Sequence, residues 1–198
     1  MTKSKVRIEK NDRTKIILIG DAGSGKISLR RKFKGIELDK QFYDEIGYIG
    51  VWYDILKHPY NSKTYTFEIW NFILDFKKPA LMKSMINRFF ANKCDLILGL
   101  IDLQKLTPEI FKELTSVIKL CWNRAHYKIP LIFIGTKCDL LIKEHIKEVS
   151  SIFRTLIEEF NSHENITTSY ILTSSKTGEN VTETLDLISM VSESLPIN

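Results

Sequence analysis

Apolar residues in this chain fall into short unbroken runs separated by longer stretches in which they recur every three or four positions. The runs are Ile16 to Ile19, Asp95 to Leu103 (DLILGLIDL), Pro130 to Thr136 and Tyr170 to Thr173. Runs of this length read as buried strands. Helical spacing follows the first run in LRRKFK and returns over Ala80 to Ala91, where Leu81, Met85, Ile86, Phe89 and Phe90 can share one face. It appears again from Thr107 to about Arg124, with Thr107 as N-cap and Pro108 in the first turn, then over Lys143 to Phe160 and Val181 to Ser194. Tyr48 to Lys57 and Thr64 to Trp70 read as two further strands joined by HPYNSK, whose Pro59 and Asn61 are turn formers. Such a hairpin makes one strand antiparallel. Gly35 to Gly47 is polar, and Asn71 to Pro79 has no period. Strand and helix signals therefore alternate along the whole chain, which predicts an α/β fold with a six-stranded, mainly parallel sheet and about five helices.

Composition narrows the class. The chain has 198 residues, 43% hydrophobic and 27% charged, enough for one globular domain with a full core. The net charge of +5 is modest, and much of it lies in residues 1–13, where Lys3, Lys5, Arg7, Lys10 and Arg13 outnumber Glu9 and Asp12. That segment reads as a basic flexible arm in front of a domain over 14–198. Nothing resembles a nucleic-acid module. Cys94, Cys121 and Cys138 have neither disulfide pairing nor metal-ligand spacing, which predicts reduced thiols and, with a polar N-terminus and no long apolar run, a cytoplasmic location.

The strongest chemical signal is Gly20 to Ser28, GDAGSGKIS, placed between the first strand and the first helix. A strand, a glycine-rich turn closing on Gly-Lys and a helix start make a phosphate-binding loop. Gly20, Gly23 and Gly25 let the backbone take positive φ and turn its N–H groups around an anion. The helix start adds unsatisfied donors and the positive end of its dipole, and the Lys26 ammonium can reach terminal phosphates. The phosphate-binding set is Asp21, Ala22, Gly23, Ser24, Gly25, Lys26, Ile27 and Ser28. The motif calls for Ser or Thr after the lysine to place a hydroxyl on Mg²⁺, yet Ile27 stands there. Ser28 lies about 100° further around the helix and is a poor substitute.

Two other strand ends carry polar clusters, Thr136-Lys137-Cys138-Asp139 and Thr173-Ser174-Ser175-Lys176. Ligands of such sheets bind beyond the carboxyl ends of the strands, so these clusters should meet the phosphate loop. Their order resembles that of a small GTPase of the Ras superfamily, a P-loop NTPase fold of three layers, from Lys15 to Ser194. Ile46-Gly47 and Ile69-Trp70 resemble the Rab branch. The resemblance implies that Thr136, Lys137, Asp139 and Leu140, with Ser174, Ser175 and Lys176, bind guanine. A carboxylate at Asp139 can accept from guanine N1–H and the 2-amino group, a donor pair that adenine lacks.

The departures from that family fall on the metal and terminal-phosphate side. Glu45 aligns with the magnesium-binding threonine of the first switch and could ligate a cation directly. Where the family has Trp-Asp-Thr-Ala-Gly-Gln, this chain has Trp70-Asn71-Phe72-Ile73-Leu74-Asp75. Asn71 is neutral where a carboxylate helps hold the magnesium shell, Leu74 is bulky where a glycine approaches the γ-phosphate, and Asp75 replaces the glutamine that orients water. Leu38 and Gly50 replace two aromatic residues of the family, one edge-on to guanine and one facing effectors. The C-terminal Leu195-Pro196-Ile197-Asn198 carries no prenylatable cysteine, so no prenyl anchor is expected in this chain.

These features together predict a Rab-like module that binds GDP or GTP, hydrolyses slowly or not at all, and holds no Mg²⁺ in the family's usual way. It would meet effector or regulator proteins through Gly35–Gly47 and Asn71–Ala91, in vesicle trafficking or signalling, at membranes through partners. Two alternatives stay open: an active switch that uses Glu45 and Asp75 for metal and water, and a scaffold without nucleotide.

Overall fold

The computed structural model describes residues 13–37, 51–72, 83–84, 86–87 and 94–195. The elements are β1 (Arg13–Ile19), α1 (Lys26–Phe33), β2 (Val51–Tyr60), β3 (Lys63–Phe72), β4 (Leu96–Asp102), α2 (Pro108–Ala125), β5 (Leu131–Thr136), α3 (Lys143–Glu164), β6 (Ser169–Thr173) and α4 (Val181–Glu193). Within the helix expected over 80–91, Lys83, Ser84, Ile86 and Asn87 are helical and Ile86 is buried. The sheet has six strands in the order β2-β3-β1-β4-β5-β6. Among the described residues only the β2–β3 pairing is antiparallel, as the hairpin predicts.

Strand β1 shows how the layers form. Its apolar run sends Ile16 and Leu18 to one face of the sheet and Ile17 and Ile19 to the other, all fully buried. The first face is covered by Leu29 and Phe33 of α1 and by Val181, Leu185 and Ile188 of α4. The second is covered by α2 and α3 through a cluster of rings: Phe111 lies 5.2 Å from Phe133, and Trp122 stacks on Phe160 at 5.8 Å. Each such side chain contributes about 1.5–3 kcal/mol relative to exposure. Trp122 satisfies its indole N–H on Ile129 O at 2.9 Å, so its place in the core costs no unpaired donor.

Helix α2 starts as its sequence dictates: the Thr107 hydroxyl accepts from Ile110 N, and Pro108 occupies the first turn where no N–H is needed. Three boundaries differ from expectation. The hairpin joint is Asn61-Ser62 alone, both at positive φ (47° and 63°), and Pro59 lies inside β2 opposite Thr64. A two-residue turn of this hand fits the strand twist, and β2 is an edge strand, where a proline costs no ladder bond. Asn71 and Phe72 extend β3 and pair with Trp52 and Val51, so the aperiodic stretch does not begin at Asn71. Helix α3 continues past Phe160 to Glu164 before Asn165 ends it in the left-handed region. Strand β1 starts at Arg13, the last residue of the expected arm.

Leu38, Glu45, Ile46, Gly47, Gly50, Leu74, Asp75, Phe89 and Phe90 lie outside the described residues, as do residues 1–12 and most of both switch-like segments. No helix among the described residues is long and apolar enough to cross a membrane.

Candidate functional site

The carboxyl ends of β1, β4, β5 and β6 carry the polar residues singled out above, and the register of the sheet brings them to one end. After β1 the chain turns through Asp21 and Ala22, with Ser24 N donating to Asp21 O at 3.1 Å. Gly23 and Gly25 take positive φ, 77° and 87°. Gly20 does not, and its glycine is needed for a different reason: a Cβ there would sit 2.5 Å from both Leu100 O and Ser24 Oγ. The loop is thus pressed against β4.

Helix α1 then begins at Lys26 with no side-chain cap and no acidic residue in its first turn. Its first N–H groups are left for an anion. Inside the loop the Lys26 ammonium donates to Gly20 O (2.6 Å), Asp21 O (2.7 Å) and Ser24 Oγ (3.2 Å). Burial pulls its pKa down to about 8, with the Asp21 carboxylate opposing the shift. This partly desolvated lysine gains from an anion brought beside it. Ile27 and Ser28 are both half-buried in the first turn.

The two downstream clusters are tied to this loop. The Thr136 hydroxyl, buried at the end of β5, lies 2.9 Å from Ser24 O and 3.1 Å from Ile101 O, bridging phosphate loop and β4. Lys137 adopts the left-handed conformation, and its ammonium pairs with the Asp102 carboxylate at 2.7 Å. Asp102, at the end of β4, is 4% exposed and also accepts from Gln104 N at 3.1 Å. Its role in aiming Lys137 is not apparent from the motif, although a carboxylate closing the buried run LILGLID was a signal for it. Asp139 is oriented by Ser174, whose hydroxyl donates to Asp139 Oδ1 at 2.6 Å and accepts from Thr177 N.

Ser174 N is engaged with Glu179 O, so Ser174 acts through its hydroxyl and its N–H is taken. The N–H groups of Ser175 and Lys176 follow in the turn with no acceptor among the described residues. Leu140 is exposed beside the cluster. Cys138, between the two base-motif residues, is no nucleophile: burial, with Glu179 adjacent, pushes its thiol up to about 12.

A comparison with protein-family models matches the Ras family over residues 15–193. The chain belongs to the Ras family. It is therefore a small GTP-binding protein, and its sheet and loops are those of a Ras-like G domain. A search of curated proteins finds no match.

Ras-family domains bind guanine nucleotides, generally with Mg²⁺. The phosphate-loop and base-motif residues of this chain fit such a nucleotide; of the metal positions, Ile27 and Asn71 do not suit the ion, and Glu45 lies outside the described residues. Ile27 has no hydroxyl to offer. Asn71, at the end of β3, is 0% exposed and neutral, and its amide oxygen and nitrogen have no hydrogen-bond partner among the described residues. Among the described residues no three His, Cys, Asp or Glu side chains converge to hold a metal.

Proposed function

We propose that this Ras-family chain is a Rab-like module that holds GDP or GTP without an obligatory Mg²⁺, hydrolyses GTP very slowly or not at all, and works through protein contacts. The observation that carries the reading is a contrast within one site. Asp139 is aimed by the Ser174 hydroxyl at 2.6 Å, while the position after Lys26 is an isoleucine and the carboxylate position of β3 is a buried, neutral carboxamide.

Each residue then has a role that needs no ion. The loop amides of 21–26 and the first amides of α1 bind phosphate oxygens, and Lys26 neutralises part of their charge. Asp139 accepts from the guanine edge, Ser175 and Lys176 offer their N–H groups to O6, and the Lys137 stem, anchored on Asp102, lies along the base. Leu140 closes the rim. Asp75 replaces the glutamine that positions the attacking water, so bound GTP persists. A long-lived complex suits a protein that presents Gly35–Gly47 and Asn71–Ala91 to effectors or regulators in vesicle trafficking or signalling, in the cytoplasm and at membranes through partners.

The test restores what was lost. Wild type should bind GDP with the same affinity in Mg²⁺ and in EDTA, whereas Ile27→Ser/Asn71→Asp should bind at least about tenfold tighter in Mg²⁺ than in EDTA, one metal-ligand contact being worth more than about 1.4 kcal/mol. A wild-type affinity that collapses in EDTA contradicts the proposal.

A further inference from the structure

The turn after β4 brings a second lysine, Lys105, to the phosphate loop. Asp102 caps the short helical turn Leu103–Lys105 through Gln104 N, and this turn carries Lys105 over the loop. A methyl group placed on Gly23 would lie 3.9 Å from the Lys105 ammonium. Lys105 also edges a small cleft between the loop and α2, whose walls are Ala22, Leu100, Ile101, Ile110 and Leu114. Asp21, Ser24 and Asp102 complete the lining, yet Lys105 makes no hydrogen bond or ion pair to any of them.

Two acids, Asp21 and Asp102, lie on the same cleft. Asp102 gives one oxygen to Gln104 N and the other to Lys137. Asp21, also on the cleft, is the charge that opposes the depression of the Lys26 pKa. Of the three lysines at the loop, Lys26 is bonded to loop oxygens and Lys137 to Asp102, while Lys105 is exposed and has no hydrogen-bond or ion-pair partner among the described residues. An uncommitted ammonium beside amides that curl around an anion adds to the positive potential there.

We propose that Lys105 is a second phosphate-directed cation of this site, swinging from the β4–α2 turn onto the bound polyphosphate and supplying positive charge that the metal positions lack. The inference rests on the metal-independent reading above. An ammonium is a compact donor on a flexible stem, suited to meeting phosphate oxygens without fixed geometry. Because the side chain is exposed and makes no hydrogen bond or ion pair among the described residues, neutralising it leaves the fold intact.

The experiment titrates GDP into the full chain in EDTA, at low and high salt, for wild type, Lys105→Gln and Lys105→Arg. Lys105→Gln should weaken GDP binding about tenfold at low salt, the scale of one charge-assisted contact. The deficit should shrink as salt screens it, and Lys105→Arg should recover most of the affinity. Equal GDP affinity in wild type and Lys105→Gln, a deficit indifferent to salt, or a Lys105→Arg variant as weak as Lys105→Gln would each overturn the assignment of Lys105 while leaving the metal-independent reading standing. A wild type that binds no GDP in EDTA would overturn both.

Discussion

Lys26 carries the clearest consequence at the scale of single residues. Its folded-state pKa is about 8 against an ordinary 10.5, because burial in the loop disfavours the charged form more than Asp21 favours it. A polyphosphate alongside favours the ammonium and raises that pKa. Above about pH 8 the empty protein has therefore lost a proton that the complex retains, and binding must take one up. Below the free-state pKa the affinity does not depend on this group; above it the affinity falls, by at most about tenfold per pH unit, until the pKa of the complex is reached. GDP affinity measured from about pH 7 to about pH 9 should decline only over the upper half of that range. A flat profile would mean that Lys26 does not meet the phosphates. Asn71 belongs to the same scale: it puts a buried, neutral carboxamide at the end of β3, where a metal shell calls for a carboxylate.

At the scale of elements, the β2–β3 hairpin makes the next prediction. Its turn puts Ser62 at φ 63°, a conformation that glycine adopts without the steric cost a Cβ incurs. Ser62→Gly should raise the stability of the protein by about 1 kcal/mol in a denaturant titration, and a loss of stability would show that the turn is held by other contacts. This hairpin also shows where the sequence was hard to read. HPYNSK has no glycine, and Pro59 in it suggested a long joint; the strands instead pair through Tyr60 and Lys63, since the edge position of β2 tolerates proline. Helix α2, by contrast, was legible to its first residue, because Thr107-Pro108 is a local signal that acts within one turn. The candidate site divides along the same line. Strand, glycines and Lys26 are local and could be read directly, as could the TKCD and SSK clusters. The clamp of Asp102 on Lys137 and the bridge from Thr136 to Ser24 O join residues far apart in sequence, and only the sheet register brings them together.

At the scale of the whole molecule, two cores on the faces of one sheet hold four strand ends in fixed register, and ion pairs and a histidine–carboxylate hydrogen bond brace the edge carrying the hairpin. Asp54 of β2 is gripped by Arg30 at 3.2 Å and Lys34 at 2.7 Å, and His58 meets Asp186 of α4 at 2.7 Å. Such a frame holds the described loops at the strand ends in place before any ligand arrives. The central claim is that this frame holds a guanine nucleotide without a metal. The measurement that tests it most directly is to dialyse the purified protein against EDTA, denature it, and identify and quantify the released nucleotide by chromatography. The account predicts GDP or GTP retained at close to one per chain; protein that comes through EDTA empty, after carrying nucleotide in Mg²⁺, would contradict it.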